Sequence, residues 1–201
     1  MLKEDFSIKE FADKLRRRSE ESKGNAQEDC SSISRDIDAR AVALIVEALA
    51  KEEGLWIDIS EIFTLGTPFP SGVENDVYLN ANGNKIYKVN NLMTSKTISV
   101  LLKRLDIHNQ IFPQTSYSLV GFTGFGSGSV YPVLSQDFVP NEREATPIEI
   151  DMYMSAIGFT KIGESEYQKD NLIAFDLKPR NVLRDTDGDI FVIDVDFKEK
   201  R

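Results

Sequence analysis

The dipeptide Asn82-Gly83, which lies between two strand-like segments, constrains the fold of this chain most. Asn-Gly is a strong short-range signal for a β-hairpin, because both residues accept the positive φ angles of a tight turn. Strand-like residues 76–80 precede it and Lys85–Val89 follow it, and another strand is predicted at 57–65. Three neighbouring strands joined in this way predict an antiparallel meander.

A helix and two further strands are predicted to follow the meander. Apolar residues at helical spacing mark the helix at about 95–109, and strand-like segments occupy 117–122 and 130–138. The glycine-rich residues 124–128 between those strands are expected to form a hairpin connection rather than a phosphate-binding loop, because no helix begins directly after them. The order lacks a parallel β-α-β repeat, so we predict an α+β fold with a five-stranded antiparallel sheet.

The C-terminal third of the chain begins with a strong helix start. The run Thr146-Pro147-Ile148-Glu149 combines a cap residue, a proline at the first helical position and a glutamate three residues after the cap, and Gly158 is expected to end the helix. Residues 159–171 are predicted to form a loop. A hairpin is then expected to turn at Asp185-Thr186-Asp187-Gly188 and to return as a last strand, Ile190–Ile193.

The N-terminal residues 1–36 are predicted to be an appendage that contributes little core, since nearly half of them are charged. The run Ser7-Ile8-Lys9-Glu10 has the capping-box pattern of a helix start. A second helix is predicted over Ala39–Glu53, capped by Asp38 and ended by Gly54. Both helices are expected to precede the main domain.

These elements predict one domain with an extension. Residues 1–55 form the N-terminal helical extension and residues 56–201 the compact domain. Within that domain, residues 57–139 are expected to form one lobe and residues 140–201 a minimal second lobe.

Composition excludes several classes of function. The net charge of −9 disfavours a direct interaction with nucleic acid or with an anionic membrane surface. The single cysteine, Cys30, excludes an intramolecular disulfide and a cysteine-based zinc site, and the single histidine, His108, excludes a multi-histidine metal site. No apolar run approaches the roughly 18 residues needed to span a bilayer. These features predict a cytoplasmic protein.

Three oxygen-bearing side chains are expected to converge near the C-terminal hairpin. Asp176 and Asn181 are separated by a short loop that Pro179 stiffens, and Asp194 lies at the end of the last predicted strand. One alternative takes Asp194-Val195-Asp196 as the metal-binding D-x-D motif of a sugar-nucleotide transferase. The missing parallel β-α-β order disfavours it.

The spacing of these residues resembles the catalytic segment of protein kinases. The matching runs are D-L-K-P-R-N-V-L, from Asp176, and I-D-V-D, which contains Asp194. Upstream, residues 66–78 resemble the glycine-containing hairpin that covers the nucleotide phosphates, and Lys88 resembles the strand lysine that reaches the α- and β-phosphates. The run Gln136-Asp137-Phe138 lies where the hinge that contacts adenine is expected.

A narrower resemblance covers about residues 58–197. The runs G-V-E-N-D-V-Y, I-Y-K-V-N-N and H-N-Q-I-F-P, together with the C-terminal motif, resemble the small serine/threonine/tyrosine kinase domain of bacterial polyvalent proteins. Those are multidomain proteins of mobile and conjugative elements. The resemblance implies a protein-kinase-like fold with a five-stranded N-lobe that carries a helix, and a truncated C-lobe.

The resemblance also implies a role for each matching residue, with ATP and Mg²⁺ as cofactors. Asp176 is expected to orient and deprotonate an acceptor hydroxyl, and Lys178 to neutralise the γ-phosphate in the transition state. Asn181 and Asp194 are expected to coordinate Mg²⁺. The residues expected to contact the nucleotide are Gly72, Glu74, Lys88, Gln136 and Phe138.

Four departures from the kinase pattern limit what the resemblance implies, and two of them, the missing helix glutamate and the missing substrate platform, favour a rival hypothesis. Ala174-Phe175 replaces the usual His-Arg before the catalytic aspartate, and Asp196 replaces the glycine of D-F-G. The helix at 95–109 contains no glutamate, so Glu74 is the expected substitute partner of Lys88. The sequence also ends five residues beyond Asp196, before a helical substrate platform. The rival is a pseudokinase or nucleotide-binding scaffold whose protein partners dock on the N-terminal helices.

Overall fold

The computed structural model describes residues 6–23, 34–126, 129–140 and 143–200. Cys30 therefore lies outside the described residues, as does most of the linker around it. The chain divides into two compact units. One consists of Met1–Asp106 and Tyr117–Gln136, and the other of Ile107–Ser116 and Asp137–Arg201.

The first unit contains a five-stranded sheet. Its strands are β1 (Thr67–Phe69), β2 (Asn75–Leu79), β3 (Lys85–Asn90), β4 (Tyr117–Gly126) and β5 (Ser129–Asp137). Their order across the sheet is β1-β2-β3-β5-β4, and the pairs β1–β2, β2–β3 and β4–β5 are antiparallel. The mixture of helices with an antiparallel sheet agrees with the predicted α+β class.

The prediction of a strand at residues 57–65 is wrong. Ile59–Thr64 forms a 3₁₀ helix instead, and the first strand is β1. The Asp58 side chain caps this helix by accepting a hydrogen bond from the Ser60 amide at 2.9 Å, and Ile62 turns into the core. A short polar side chain that binds a nearby backbone amide competes with strand pairing, and this contact decides the conformation here.

The hairpin predicted at Asn82-Gly83 forms between β2 and β3, but its loop is wider than two residues. The amide of Asn80 donates to the carbonyl of Lys85 at 2.9 Å, and its side-chain oxygen accepts from the amides of Asn84 and Lys85 at 3.0 and 3.1 Å. Gly83 has a φ of 67°, which glycine adopts without strain. The Asn80 side chain thus closes a five-residue loop over 80–84.

Three longer helices pass through this part of the chain: α1 (Ile8–Lys23), α2 (Ser34–Glu52) and α3 (Ile98–Ile111). The Ser7 hydroxyl accepts from the amide of Glu10 at 3.4 Å, as the capping pattern predicts. Helix α2 begins before its predicted start, so Asp38 lies inside the helix rather than at its cap. Gly54, at a φ of 67°, follows its end as predicted.

The core of the first unit includes side chains from α1. Phe11 and Leu15 are 0% and 2% exposed, and the Phe11 ring lies 4.6 Å from that of Phe122 in β4. Both belong to one apolar cluster with Leu101 of α3. The expectation that residues 1–36 contribute little core is therefore wrong for α1. About three apolar residues in every seven are enough to give a highly charged helix a buried stripe.

The second unit is built on one helix, α4 (Pro147–Ala156), and seven short strands. Thr146 and Glu149 form the predicted capping box, in which the Glu149 carboxylate accepts from the Thr146 amide at 2.8 Å. The strands are β6 (Arg143–Glu144), β7 (Thr160–Lys161), β8 (Tyr167–Lys169), β9 (Leu172–Phe175), β10 (Val182–Arg184), β11 (Ile190–Val192) and β12 (Asp196–Glu199). They make two sheets, β11-β10-β6 and β12-β9-β8-β7.

The loop predicted at 159–171 is wrong, because β7 and β8 pair within it. Tyr167 anchors this hairpin: its ring is 2% exposed and its hydroxyl donates to Asp151 of α4 at 2.6 Å. Strands of two or three residues are too short to show an alternating pattern in the sequence. None of the helices in the described ranges has the length and apolar character of a membrane span.

Candidate active site

The loop after β9 brings the predicted catalytic residues together. Asp176 has a φ of 64°, a left-handed conformation that aspartate tolerates better than most residues. The amide of Lys178 donates back to the Asp176 carbonyl at 2.9 Å, and a 3₁₀ turn, Pro179–Asn181, leads directly into β10. The loop is therefore short and closed by its own backbone hydrogen bonds.

Three side chains of this loop bind the Asp176 carboxylate. The ammonium group of Lys178 lies 2.5 Å from Oδ1, and the guanidinium of Arg180 lies 3.1 Å from Oδ2. The Asn181 amide donates to Oδ2 at 3.0 Å. Asp176 thus lies between two cations and an amide donor, with about a third of its side chain still exposed to solvent.

These contacts set the protonation state of Asp176. Burial raises the pKa of its carboxyl, but the hydrogen bond and the charge of Lys178, the charge of Arg180 and the hydrogen bond from Asn181 outweigh burial. The net pKa lies below the ordinary value for aspartate. Asp176 is therefore ionised at neutral pH, and an ionised carboxylate can only accept hydrogen bonds.

Asn181 joins Asp176 to the next predicted site residue. Its Nδ2 also donates to the Asp176 carbonyl at 2.8 Å, and its own carbonyl accepts from the amide of Ile193 at 2.9 Å. That backbone bond extends the β10–β11 pairing, so Asn181 lies beside the chain segment that carries Asp194. Within the described ranges, the Asn181 Oδ1 accepts no hydrogen bond.

Asp194 lies in the short connection between β11 and β12 and is half-buried. Its carboxylate makes no ion pair or hydrogen bond with the part of the chain that the structure describes. A carboxylate and an amide oxygen are the hard ligands that Mg²⁺ prefers. The described residues hold no cluster of three or more His, Cys, Asp or Glu suited to a metal ion. Such a sparse donor set fits Mg²⁺, which keeps waters and binds substrate phosphates.

Lys88, in β3, is buried and its ammonium group is held by two side chains of the sheet. Nζ donates to the hydroxyl of Tyr117 at 3.0 Å and to Oε1 of Gln136 at 3.1 Å, and it lies 4.8 Å from the centre of the Tyr117 ring. Sequence reasoning missed Tyr117. Gln136, which is predicted to contact the nucleotide, accepts this bond through its side chain, and Phe138 is half-buried just after β5.

The segment 66–78, which is predicted to cover the phosphates, contains β1, β2 and the loop 70–74 between them. Gly72 is exposed, and a Cβ atom at this position would meet nothing within 4 Å. The hypothesis that Glu74 is the partner of Lys88 is wrong. Its carboxylate lies 3.5 Å from Arg104 and accepts hydrogen bonds from Asn90 and Thr94.

Comparison with known families matches residues 40–201 of the chain to a family model. The family is described as "Serine/Threonine/Tyrosine Kinase found in polyvalent proteins". No curated protein matches the chain. The matched span takes in β3 with Lys88 and the loop with Asp176, and it covers most of the 201 residues. The chain therefore belongs to the Kinase-PolyVal family, the kinases of polyvalent proteins.

Proposed function

We propose that the protein transfers the γ-phosphate of ATP to a hydroxyl acceptor in a Mg²⁺-dependent reaction. The observation that carries the proposal is the ionised Asp176 carboxylate, which is held by Lys178 and by a hydrogen bond from the Asn181 amide, while a second bond from that amide fixes the Asp176 backbone carbonyl. A carboxylate fixed in this way orients the acceptor hydroxyl and accepts its proton as the phosphoryl group leaves ATP.

Lys178 supplies positive charge next to that carboxylate. Its ammonium group contacts Asp176 at 2.5 Å while nearly half of its side chain stays exposed. A cation at this position offsets the charge that spreads over the γ-phosphate oxygens in the transition state. A lysine two residues after the catalytic aspartate resembles the serine/threonine type of kinase, so the proposed acceptor is a protein serine or threonine, or a small-molecule hydroxyl.

The proposed metal ligands are the Asn181 Oδ1 and the Asp194 carboxylate. Bound Mg²⁺ supplies charge neutralisation at the β- and γ-phosphates. The two polar atoms of the Asn181 side chain have different roles. Nδ2 donates hydrogen bonds to Asp176, and Oδ1 is left to bind the metal ion. Lys88, held by Tyr117 and Gln136, is proposed to bind the α- and β-phosphates.

A second candidate function is a scaffold without catalysis. The observation that favours it is a largely apolar cavity of about 540 Å³ in the first unit, lined by residues of α1 and α3 together with Val42 of α2. An apolar groove between helices can receive an amphipathic helix of a protein partner. Retention of Lys88, Asp176 and Asn181 in the arrangement described above favours the phosphotransferase.

Calorimetry with ATP, with and without Mg²⁺, tests the proposed function. We expect the wild-type protein to bind ATP in a Mg²⁺-dependent manner. Asp194→Asn is expected to weaken that binding by about tenfold or more, since changes at a metal site commonly cost 10–100-fold. In the absence of Mg²⁺, the variant should bind ATP at least as tightly as the wild type, because asparagine lacks the negative charge that repels the phosphates.

Asp187→Asn is the matched control, because Asp187 is an exposed acid in the β10–β11 turn and its loss changes net charge equally. It should leave Mg²⁺-dependent binding intact. A wild-type protein that binds no ATP at millimolar concentration would favour the scaffold.

Tyr117→Phe is expected to weaken ATP binding as well. The change removes the hydroxyl that accepts from Lys88 and keeps the ring beneath the ammonium group. A hydrogen bond to a charged group is worth about 1.5–3 kcal/mol, so the dissociation constant for ATP should rise by roughly 10–100-fold. Tyr131→Phe, in β5 of the same sheet, serves as the control, and equal affinities for both variants would contradict the role of Tyr117.

A further inference from the structure

The loop 70–74 is fastened at its base to the segment that follows β3. The carboxylate of Glu74 accepts from Nδ2 of Asn90 at 3.2 Å and from the hydroxyl of Thr94 at 2.8 Å, and it lies 3.5 Å from the guanidinium of Arg104 in α3. One carboxylate thus binds the end of a strand, the strand–helix connection and the helix itself.

Backbone contacts strengthen the same attachment. The amide of Asn91 donates to the carbonyl of Glu74 at 3.0 Å, and its side chain donates to the carbonyl of Val73 at 2.7 Å. Leu92, in the connection between β3 and α3, has a φ of 60°, which is unfavourable for a leucine. Strained backbone of this kind persists where surrounding contacts determine the conformation, and such places cluster at functional sites.

The base and the tip of the loop differ in exposure. The side chains of Arg104 and Glu74 are only 11% and 19% exposed, so their ion pair is partly shielded from water. Val73, one residue earlier, is 80% exposed, and nothing surrounds the Cα of Gly72 on its side-chain face. The loop is therefore held firmly at Glu74 and left open at its tip.

We infer that Glu74 and Arg104 are positioning residues, through which α3 fixes the loop 70–74 for binding the phosphates of ATP. The inference rests on the proposed function. An unpaired carboxylate in a loop that covers phosphates repels them, and the guanidinium of Arg104 offsets that charge. Helix α3 contains no glutamate. Its contact with the loop is instead the ion pair between Arg104 of the helix and Glu74 of the loop.

Glu74→Gln, Arg104→Met and the double variant test this inference in the full chain. Calorimetry with Mg²⁺-ATP and with adenosine measures affinity, and hydrogen exchange of the backbone amides of residues 71–74 measures attachment of the loop. Each single variant should weaken ATP binding by about tenfold, which is typical of coupling between two sites. Adenosine, which lacks phosphates, should bind as in the wild type. The double variant should be no weaker than either single variant, because both lose the same interaction.

Glu61→Gln is the control, since Glu61 is an exposed acid of the 3₁₀ helix in the same unit. Faster exchange of the loop with a selective loss of ATP affinity supports the inference. If both variants bind ATP as the wild type does, or lose ATP and adenosine affinity equally, the pair only stabilises the fold and the inference is overturned. If the wild type binds no ATP, the proposed function is wrong, and so is the inference that rests on it.

Discussion

Replacing Asp176 by asparagine is expected to lower the rate of phosphoryl transfer by about 10²–10⁴-fold, the usual contribution of a positioned general base. Asparagine keeps the shape of the side chain but accepts no proton at neutral pH. It also tolerates the left-handed backbone at this position, where φ is 64°, so the loop should keep its conformation. The measurement is transfer of labelled γ-phosphate from ATP to a hydroxyl acceptor, or to water.

The same variant separates catalysis from binding. Asp176 is proposed to contact the acceptor rather than ATP, so the affinity of Asp176→Asn for Mg²⁺-ATP should stay close to that of the wild type. Asp187→Asn again controls for the loss of one exposed negative charge near the hairpin. Transfer at the wild-type rate by Asp176→Asn would show that this carboxylate is not the base. If the variant also binds Mg²⁺-ATP as the wild type does, only the role of Asp176 is wrong and the nucleotide site stands.

The geometry of the loop 176–181 could be predicted because its contacts are local. Asp176 and Asn181 are five residues apart, Pro179 restricts the backbone between them, and the hairpin turn at Gly188 returns the chain toward Asp194. Side chains within one short loop and one hairpin meet whenever these turns form. The structure accordingly brings Asn181 into contact with Asp176 and pairs its carbonyl with the residue before Asp194.

The surroundings of Lys88 could not be predicted in the same way. Tyr117 and Gln136 lie 29 and 48 residues further along the chain, and their contact with Lys88 depends on the order of strands in the sheet. In the sheet β3 lies next to β5, and no local sequence pattern specifies this neighbour. Glu74 and Arg104 are also about 30 residues apart, so no local pattern predicts their ion pair, and the predicted pairing of Glu74 with Lys88 is wrong.

Charge density misled the interpretation of the N-terminus for a different reason. A solvent-facing helix can carry charges on most of its circumference and still bury one stripe, and α1 does so with Phe11 and Leu15. The fraction of charged residues averages over the exposed and the buried face of the helix, whereas burial is decided by the residues of one face. The partner of that stripe, which includes Phe122 of β4, lies more than a hundred residues away in sequence.

Phe11→Ala is therefore expected to destabilise the protein by about 3–5 kcal/mol, the usual cost of truncating a buried phenylalanine. The Phe11 side chain is fully buried and packs its ring at 4.6 Å from that of Phe122, so truncation leaves a cavity between α1 and the sheet. Urea unfolding measures the change as a lower midpoint. Lys9→Ala, on the exposed face of the same helix, should unfold at nearly the wild-type midpoint. If both variants unfold as the wild type does, α1 is the appendage that its charge predicts. A large loss in Phe11→Ala alone makes α1 part of the unit that holds Lys88, because the same sheet carries the Phe122 ring and the lysine.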